Sequence, residues 1–528
     1  MTESWDYVVV GSGLSALAFS ALSARAGRRV LVLEAHDKAG GYGHTFTMGT
    51  GEDAAAFNAQ LHYVWNCGPG GTVNSLLRKL ELDETVTFNS YDPGGFDRMR
   101  MPGYALDVPY DHETLRERLV ALFPDHAEPL GRFLAEVYAT DKALGRLPRR
   151  PWGLHGLADL TGAAAKRLRW RKATLQDVFD HFALPKPAQT LLALQWPDFM
   201  LPPERLSFFA WVLLFAGYQR GAYYPTHHFA SVIDALVRVI EGSGAVRLGH
   251  RVTGFVHEDG RIAGVEVEPV DEHFVATGPR AVIRAAETIC NMDPRAAAEL
   301  IGPEHFSRAV RRRLDYSYSH SNFMAYLQLE GIDLREHGFG RSNLFHTDEP
   351  DLNLCFERML AGDYSRPSFA MTVPTLLTDD RVDAPEGVTL VELLTVADYR
   401  LFLDLKLSAP REYRRKKTEI YEAMVAVIER DYVPVFSQHV RAKMLGSPTT
   451  NRRFVGAPAG NSYGSHMTPA QMGPGRLTAT SSIPGLHFCN ASAGYAGFAG
   501  TLWTGSRLYE QLTGDPVLTG PHTLPRPS

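Results

Sequence analysis

Short apolar blocks bounded by glycine set the pattern at the N-terminus. Tyr7-Val8-Val9-Val10 is too short for a helix and reads as a strand buried on both faces. It runs into Gly11-Ser12-Gly13-Leu14-Ser15-Ala16, a small-residue helix pattern follows, and a second block, Val30-Leu31-Val32-Leu33, ends at Glu34. Strand, glycine turn, helix and strand together predict a βαβ dinucleotide site. Gly11 permits the tight turn, and Gly13 lets backbone amides approach a pyrophosphate at the positive helix end. Ala16 leaves room for the helix to lie on the strand. Glu34 lies 21 positions after Gly13, where a carboxylate accepts both ribose hydroxyls and repels a 2′-phosphate.

Further along, Val246 to Leu248, Arg251 to Val256 and Ile262 to Val267 alternate as strands, the last two joined by an Asp259-Gly260 hairpin turn. Asn322 to Leu329 also reads as a strand. Leu206 to Tyr218 is apolar for 13 residues, short of the roughly 20 a membrane span requires, and reads as a buried helix or channel wall. Thr174-Leu175-Gln176-Asp177 predicts a capping box. These signals divide the chain into a discontinuous nucleotide domain (1–75, 222–300, 440–515), an inserted substrate domain (76–221, 301–439), the first part of it largely helical, and a Pro-rich tail (516–528).

Composition narrows the class. The 528 residues, 45% hydrophobic and 21% charged, suffice for a large core in two domains. A net charge of −5 gives no summed positive field to attract nucleic acid. Cys67, Cys290, Cys355 and Cys489 are widely spaced, which suits reduced thiols in a cytoplasm and neither a disulfide framework nor a metal site. The N-terminus lacks the basic and apolar regions of a secretory signal. Arg146 to Lys172 holds eight basic residues against one acid, with Trp152 and Trp170 among them. A peripheral contact with an anionic membrane, a solvated cationic face and docking of a phosphorylated nicotinamide all fit this segment. The oligomeric state is open.

A second glycine cluster, Ala35 to Thr45 with Gly40, Gly41 and Gly43, is unnecessary for a nicotinamide dehydrogenase and suits the longer pyrophosphate and ribityl run of FAD. Here the chain resembles the FAD-containing phytoene desaturase, carotenoid isomerase and retinol saturase family. The resemblance is carried by Gly11, Gly13, Glu34, Gly40-Gly41, His44-Thr45-Phe46 and Phe57 to Val64. It continues through Tyr223-Tyr224-Pro225, Asn291-Met292-Asp293-Pro294, Ala384 to Gly387, Ile483 to Phe488 and Gly494 to Gly500. It implies an α/β fold of the glutathione reductase and amine oxidase kind: an FAD-binding Rossmann-type domain with an inserted α+β substrate domain. It places FAD against Gly11, Ser12, Gly13, Leu14, Ser15, Glu34, Ala35, Gly40, Gly41, Gly43, His44, Thr45, Gln60, Leu61, Val252, Asn490, Ser492, Gly500, Thr501 and Leu502. Departures are Tyr42 where amine oxidases place arginine, Asn58 and Gln60 beside the flavin, and Cys489-Asn490-Ala491 where a carboxylate would bond the ribityl chain. Asn490 or Ser492 would have to replace that carboxylate.

A flavin moves hydride without a charged side chain, so the protein must orient an apolar substrate, exclude water and place a proton donor. His62 and Tyr63 are the candidate catalytic residues, with His44 and Tyr495 in reserve; a core histidine bonding a carbonyl is the competing reading of His62. Phe208, Phe209, Trp211, Phe498 and Trp503 read as tunnel lining or core. The resemblance leaves three directions open: oxidation, isomerisation and reduction of a conjugated polyene. The expected activity is C=C reduction by reduced FAD fed from NADPH, possible ring closure on a polyene tetramate macrolactam included. The alternatives are a carotenoid-type desaturase or isomerase, a flavin amine oxidase, and a non-catalytic FAD or membrane-surface binding protein.

Overall fold

The computed structural model describes residues 4–145, 169–379 and 383–517. The first expected unit forms as β1 (Ser4–Val10), α1 (Leu14–Arg25) and β2 (Val30–Leu33), with β1 and β2 parallel in the register Tyr7 to Val30 through Val10 to Leu33. Both strands are buried on each face, which explains their continuous apolar runs. They belong to a seven-stranded sheet in the order Ala245–Arg247, β2, β1, Ala281–Cys290, Arg261–Pro269, His250–Glu258, with Leu486–Phe488 paired to Ala281–Cys290. The Asp259-Gly260 turn joins an antiparallel hairpin, and both residues have positive φ (47° and 77°).

The C-terminal helix Phe498–Thr513 packs on α1. Their contact is close at Gly505, where a Cβ would fall 2.1 Å from the Ser15 carbonyl oxygen. A side chain there would push the helix off the nucleotide unit.

A second seven-stranded sheet runs Val440–Gly446, Ser321–Glu330, Val388–Ala397, Ser368–Thr372, Asn343–Thr347, Asp97–Met101, Tyr104–Val108. The region read as largely helical thus contributes a hairpin, Asp97 to Val108. Its signal is an alternating Asp97, Met99, Met101 face, each residue buried, turned at Pro102-Gly103. Helices flank this sheet, among them Phe208–Gln219, the apolar run expected as a buried helix. Phe208, Trp211 and Phe498 lie in the main core, which decides for core over tunnel lining at these three; Phe209 and Trp503 are half-buried. The capping box forms, with Thr174 Oγ1 accepting from the Asp177 amide at 3.1 Å and Asp177 Oδ2 accepting from the Thr174 amide at 2.8 Å. Most of the basic segment, 146–168, and the end of the tail, 518–528, lie outside the described residues. No helix among the described residues is long and apolar enough to cross a membrane.

Candidate functional site

The nucleotide cradle is built where β1 ends. Gly11 has φ +93°, and Gly13 caps α1 without a side chain; no acid occupies the first turn. The first-turn amides therefore meet no side-chain acceptor at the positive end of the helix, a place suited to an anion. Gly13 itself donates to Asn291 Oδ1 at 2.9 Å, and a Cβ on Gly13 would stand 2.5 Å from that oxygen. Asn291 also donates from Nδ2 to Ser15 Oγ at 2.9 Å and to the Cys489 carbonyl. Ser15 Oγ donates to the same carbonyl at 2.8 Å. One asparagine thus ties the glycine turn to the C-terminal strand.

The second glycine cluster folds back on the first. Gly40 (φ +115°) donates to the Ser12 carbonyl at 3.1 Å, and a Cβ on Gly41 (φ +57°) would lie 3.1 Å from Gly13 Cα. Side chains larger than hydrogen would separate the two turns. Glu34, at the end of β2, is held in place by the chain itself. Its Oε2 accepts from the Ser12 amide at 2.8 Å and Ser12 Oγ at 2.6 Å, and its Oε1 accepts from the His36 amide at 2.9 Å. The carboxylate has lone pairs left for ribose hydroxyls. Bare helix amides, glycines in close contact and a fixed carboxylate fit the adenosine and pyrophosphate of FAD. Leu14, Gly43 and Thr45 lie on or beside the two glycine turns, Ala35 follows Glu34, and Val252 stands beside a register shift on the strand His250–Glu258, whose first amide donates to the Glu34 carbonyl at 2.7 Å.

At the C-terminal side the chain itself engages the expected substitutes. Asn490 Nδ2 donates to the Met292 carbonyl at 2.7 Å, and its Oδ1 accepts from the Ala493 amide at 3.0 Å. Ser492 Oγ accepts from the Ser465 amide at 3.1 Å. Each keeps a hydrogen to donate, the second on Asn490 Nδ2 and the hydroxyl hydrogen of Ser492. Gly500, Thr501 and Leu502 lie in the first turn of the last helix, where Thr501 Oγ1 donates to the Gly497 carbonyl at 2.7 Å. Arg476, absent from the expectations, is buried and clamps this loop by donating to the carbonyls of Ala491 and Gly494.

On the facing side, the Asn58 to Tyr63 segment turns under the second sheet. Asn58 is a turn-former: its Nδ2 donates to the Gly43 carbonyl at 2.8 Å, and its Oδ1 accepts from the amides of Gln60 and Leu61. Gln60 is held at both ends, by Asn322 and by Asn451 Oδ1 at 3.3 Å from Nε2. Tyr42, where arginine was the pattern, donates to the Asn461 carbonyl at 2.5 Å.

His62 Nδ1 lies 2.8 Å from Glu392 Oε2. Glu392 sits mid-strand in Val388–Ala397, flanked across the sheet by Tyr326 and Thr372, and is 1% exposed. Burial raises its affinity for a proton, and the hydrogen bond to His62 opposes this. His62 Nε2 and Glu392 Oε1 are both buried without a hydrogen-bond partner among the described residues. This is not a core histidine bonding a carbonyl. It is a carboxylate-oriented imidazole with one nitrogen open.

Tyr63 stacks on Tyr218, ring centres 4.0 Å apart and planes within 9°. Its hydroxyl lies 2.8 Å from Asp198 Oδ2 and 3.3 Å from Asp97 Oδ2. Both carboxyl groups are pushed up to about 7, first by burial. The reserves differ. His44 is buried, bonds its own loop at the Gly41 carbonyl, and is lowered to about 4 by burial, so it carries no proton to give at neutral pH. Tyr495 is exposed. Glu392, Asp97, Asp198 and Gln195 escaped the sequence reading, although an acid inside the apolar block Val388–Ala397 and another on the buried face of Asp97–Met101 were visible signals. His346, Asp348 and Asp431 bring ligand atoms within 4.8 Å, but Arg430 pairs with both acids at 2.6 Å and supplies the positive charge there.

Comparison with known proteins agrees with the Rossmann-type fold. The model of an NAD(P)-binding Rossmann-like domain matches residues 9–80. The all-trans-retinol 13,14-reductase of Macaca fascicularis is 25% identical over 529 residues, covering 95% of this chain and 84% of that protein. Prolycopene isomerase 2, chloroplastic, of an Oncidium hybrid cultivar is 22% identical over 492 residues, covering 88% and 75%. Among solved structures, cyclohexylamine oxidase from Brevibacterium oxydans IH-35A shares the fold at a TM-score of 0.61 and 14% identity, over 97% of this chain and all of that one.

Proposed function

We propose that this chain, an FAD-dependent oxidoreductase, reduces a C=C bond of a conjugated, apolar polyene. FAD, when bound in its reduced form, supplies the hydride equivalent at N5. The observation that carries the reading is the His62 and Glu392 pair: an imidazole oriented by a buried carboxylate, with its second nitrogen left without a partner. Addition of hydride to a polyene requires a proton at a second carbon, and an oriented imidazole is a general acid for that step. Glu392 is the positioning residue. Its bond at Nδ1 fixes the orientation of the ring.

The glycine turns and Glu34 would grip the adenosine and pyrophosphate. The buried phenol rings of Tyr63, Tyr91 and Tyr218 would exclude water from the reacting bond. Likeness to the retinol reductase over 95% of the chain supports reduction. Likeness to prolycopene isomerase supports a second reading, isomerisation with no net change in hydrogen. NADPH as the electron source, and ring closure on a polyene tetramate macrolactam coupled to reduction, extend the first reading. Peripheral contact with a membrane is the proposed route by which such an apolar substrate arrives, within an otherwise cytoplasmic enzyme.

The test is anaerobic incubation of the FAD-loaded enzyme with NADPH and a retinoid or longer polyene, followed by product mass. A gain of two hydrogens that requires NADPH is expected, and magnetic resonance of the product separates plain reduction from ring closure. An unchanged mass selects isomerisation. A loss of two hydrogens, with oxygen replacing NADPH as partner, overturns the proposal.

A further inference from the structure

The region behind Tyr63 contains two acids in an arrangement that the proposed reduction does not by itself require. Asp97 is fully buried and Asp198 half-buried, and no arginine or lysine among the described residues forms an ion pair with either. Asp97 Oδ1 accepts from Asn343 Nδ2 at 3.0 Å, and Oδ2 lies 2.5 Å from Gln195 Nε2. Tyr63 Oη stands between the two carboxyl groups, 3.3 Å from Asp97 Oδ2 and 2.8 Å from Asp198 Oδ2.

Hydrogen counting shows what this arrangement needs. A phenol has one hydrogen, so with both acids ionised Tyr63 can satisfy one carboxylate and leaves the other facing its lone pairs. One added proton completes the chain: Asp97 donates to Tyr63 Oη, and Tyr63 donates to Asp198. Gln195 is fully buried, and its Nε2 faces both Asp97 Oδ2 and, at 3.3 Å, Tyr63 Oη, so the amide ties the phenol to the first acid. Two like charges at this separation in a dry interior also disfavour double ionisation.

We propose that Asp97 and Asp198, bridged by Tyr63, form a proton-storing pair that holds one proton between two carboxyl groups and supplies it to the polyene site. This rests on the reading that the site reduces a C=C bond. In that reaction a reduced flavin gives hydride to one carbon and a second carbon takes the proton, so both electrons of the broken π bond and of the hydride end in two C–H bonds. The pair is left with two carboxylates and is refilled from water between turnovers.

The groups that face the pair come from several elements. They are the phenols of Tyr63, Tyr91, Tyr110, Tyr218 and Tyr463, all held neutral by burial, the amides of Gln195 and Asn343, and the imidazole of His62, whose positive charge would favour ionised Asp198. Burial places both acids near pH 7, where a store can fill and empty.

The test is infrared difference spectroscopy of the resting FAD-loaded enzyme between pH 5 and pH 9, with no substrate present. A carboxylic acid C=O band that disappears near pH 7 is expected in the wild type, absent or displaced in Asp97→Asn and in Asp198→Asn. Tyr63→Phe, which keeps the ring and its stack, should shift the midpoint of that band. In single-turnover reduction, wild-type rates should fall about tenfold per pH unit above the midpoint, and Asp97→Asn should lose that dependence. A band indifferent to all three substitutions, or no band, overturns the proposal. If the band behaves as expected while product mass shows no gain of hydrogen, the storing pair stands and the reductive reading fails.

Discussion

The nucleotide cradle and the acid-lined wall of the proposed polyene site treat buried side-chain polarity differently. In the cradle, the side chains that fix the turns meet partners within the chain: Glu34 accepts three hydrogen bonds, and Asn291 joins Gly13, Ser15 and Cys489. On the wall, His62 Nε2, Glu392 Oε1 and Gln195 Oε1 are buried without partners. A satisfied network fixes a shape, whereas an unsatisfied one costs stability and keeps capacity for chemistry. The cradle is built to hold, and the wall to react.

The largest effect separating the two regions is a pH dependence. Asp97 is pushed from 3.8 to about 7 in the folded chain. The unfolded carboxyl releases its proton near 4 while the folded one keeps it to about 7. Stability from this group is therefore greatest below pH 4, falls between pH 4 and 7, and is level above. A three-unit shift corresponds to about 4 kcal/mol. Denaturation by urea at pH 5 and pH 8 should show Asp97→Asn gaining on the wild type as pH rises, and an equal difference at both values would remove the unsatisfied wall from the comparison.

Gly13→Ala comes next. Its Cβ would displace Asn291, and overpacking of this kind costs roughly 1–3 kcal/mol. The purified variant should carry little or no flavin while keeping its circular dichroism. Full flavin content would mean that the cradle tolerates what its contacts forbid.

Glu392→Gln probes the wall without touching the cradle. Loss of a charge-assisted hydrogen bond, about 1.5–3 kcal/mol, should slow reduction roughly 10- to 100-fold and leave flavin occupancy intact. A rate loss at unchanged flavin content marks Glu392 as a positioning residue; an unchanged rate would make it a packing residue only. Glu34→Gln is the smallest, about a tenfold weaker retention of FAD measured by dilution and filtration, because the one amide oxygen can still accept both Ser12 bonds while the His36 bond is lost.

How much of this was legible along the chain follows the same division. Tyr7 to Glu34 could be read because one short segment contains strand, turn, helix and acid, and their spacing is the chemistry. The Asp259-Gly260 hairpin and the Thr174 cap were equally local. His62 and Tyr63 were readable as candidates, but their partners were not: Glu392 lies 330 positions from His62, and Asp198 lies 135 from Tyr63. Only the pairing of the second sheet brings Glu392 to His62. The Asp97 to Val108 hairpin was passed over because its alternation spans five residues and begins with an acid. The backbone partners of Asn490 and Ser492 were not legible, because they lie in other segments or in the fold of the turn itself.

The account stands or falls on FAD. Denaturing the purified chain and measuring the released chromophore by absorbance and mass tests it most directly. The expected result is one FAD per chain, reduced in proportion in Gly13→Ala. A colourless protein that takes up no FAD on addition, or one that releases a nicotinamide nucleotide in its place, would contradict it.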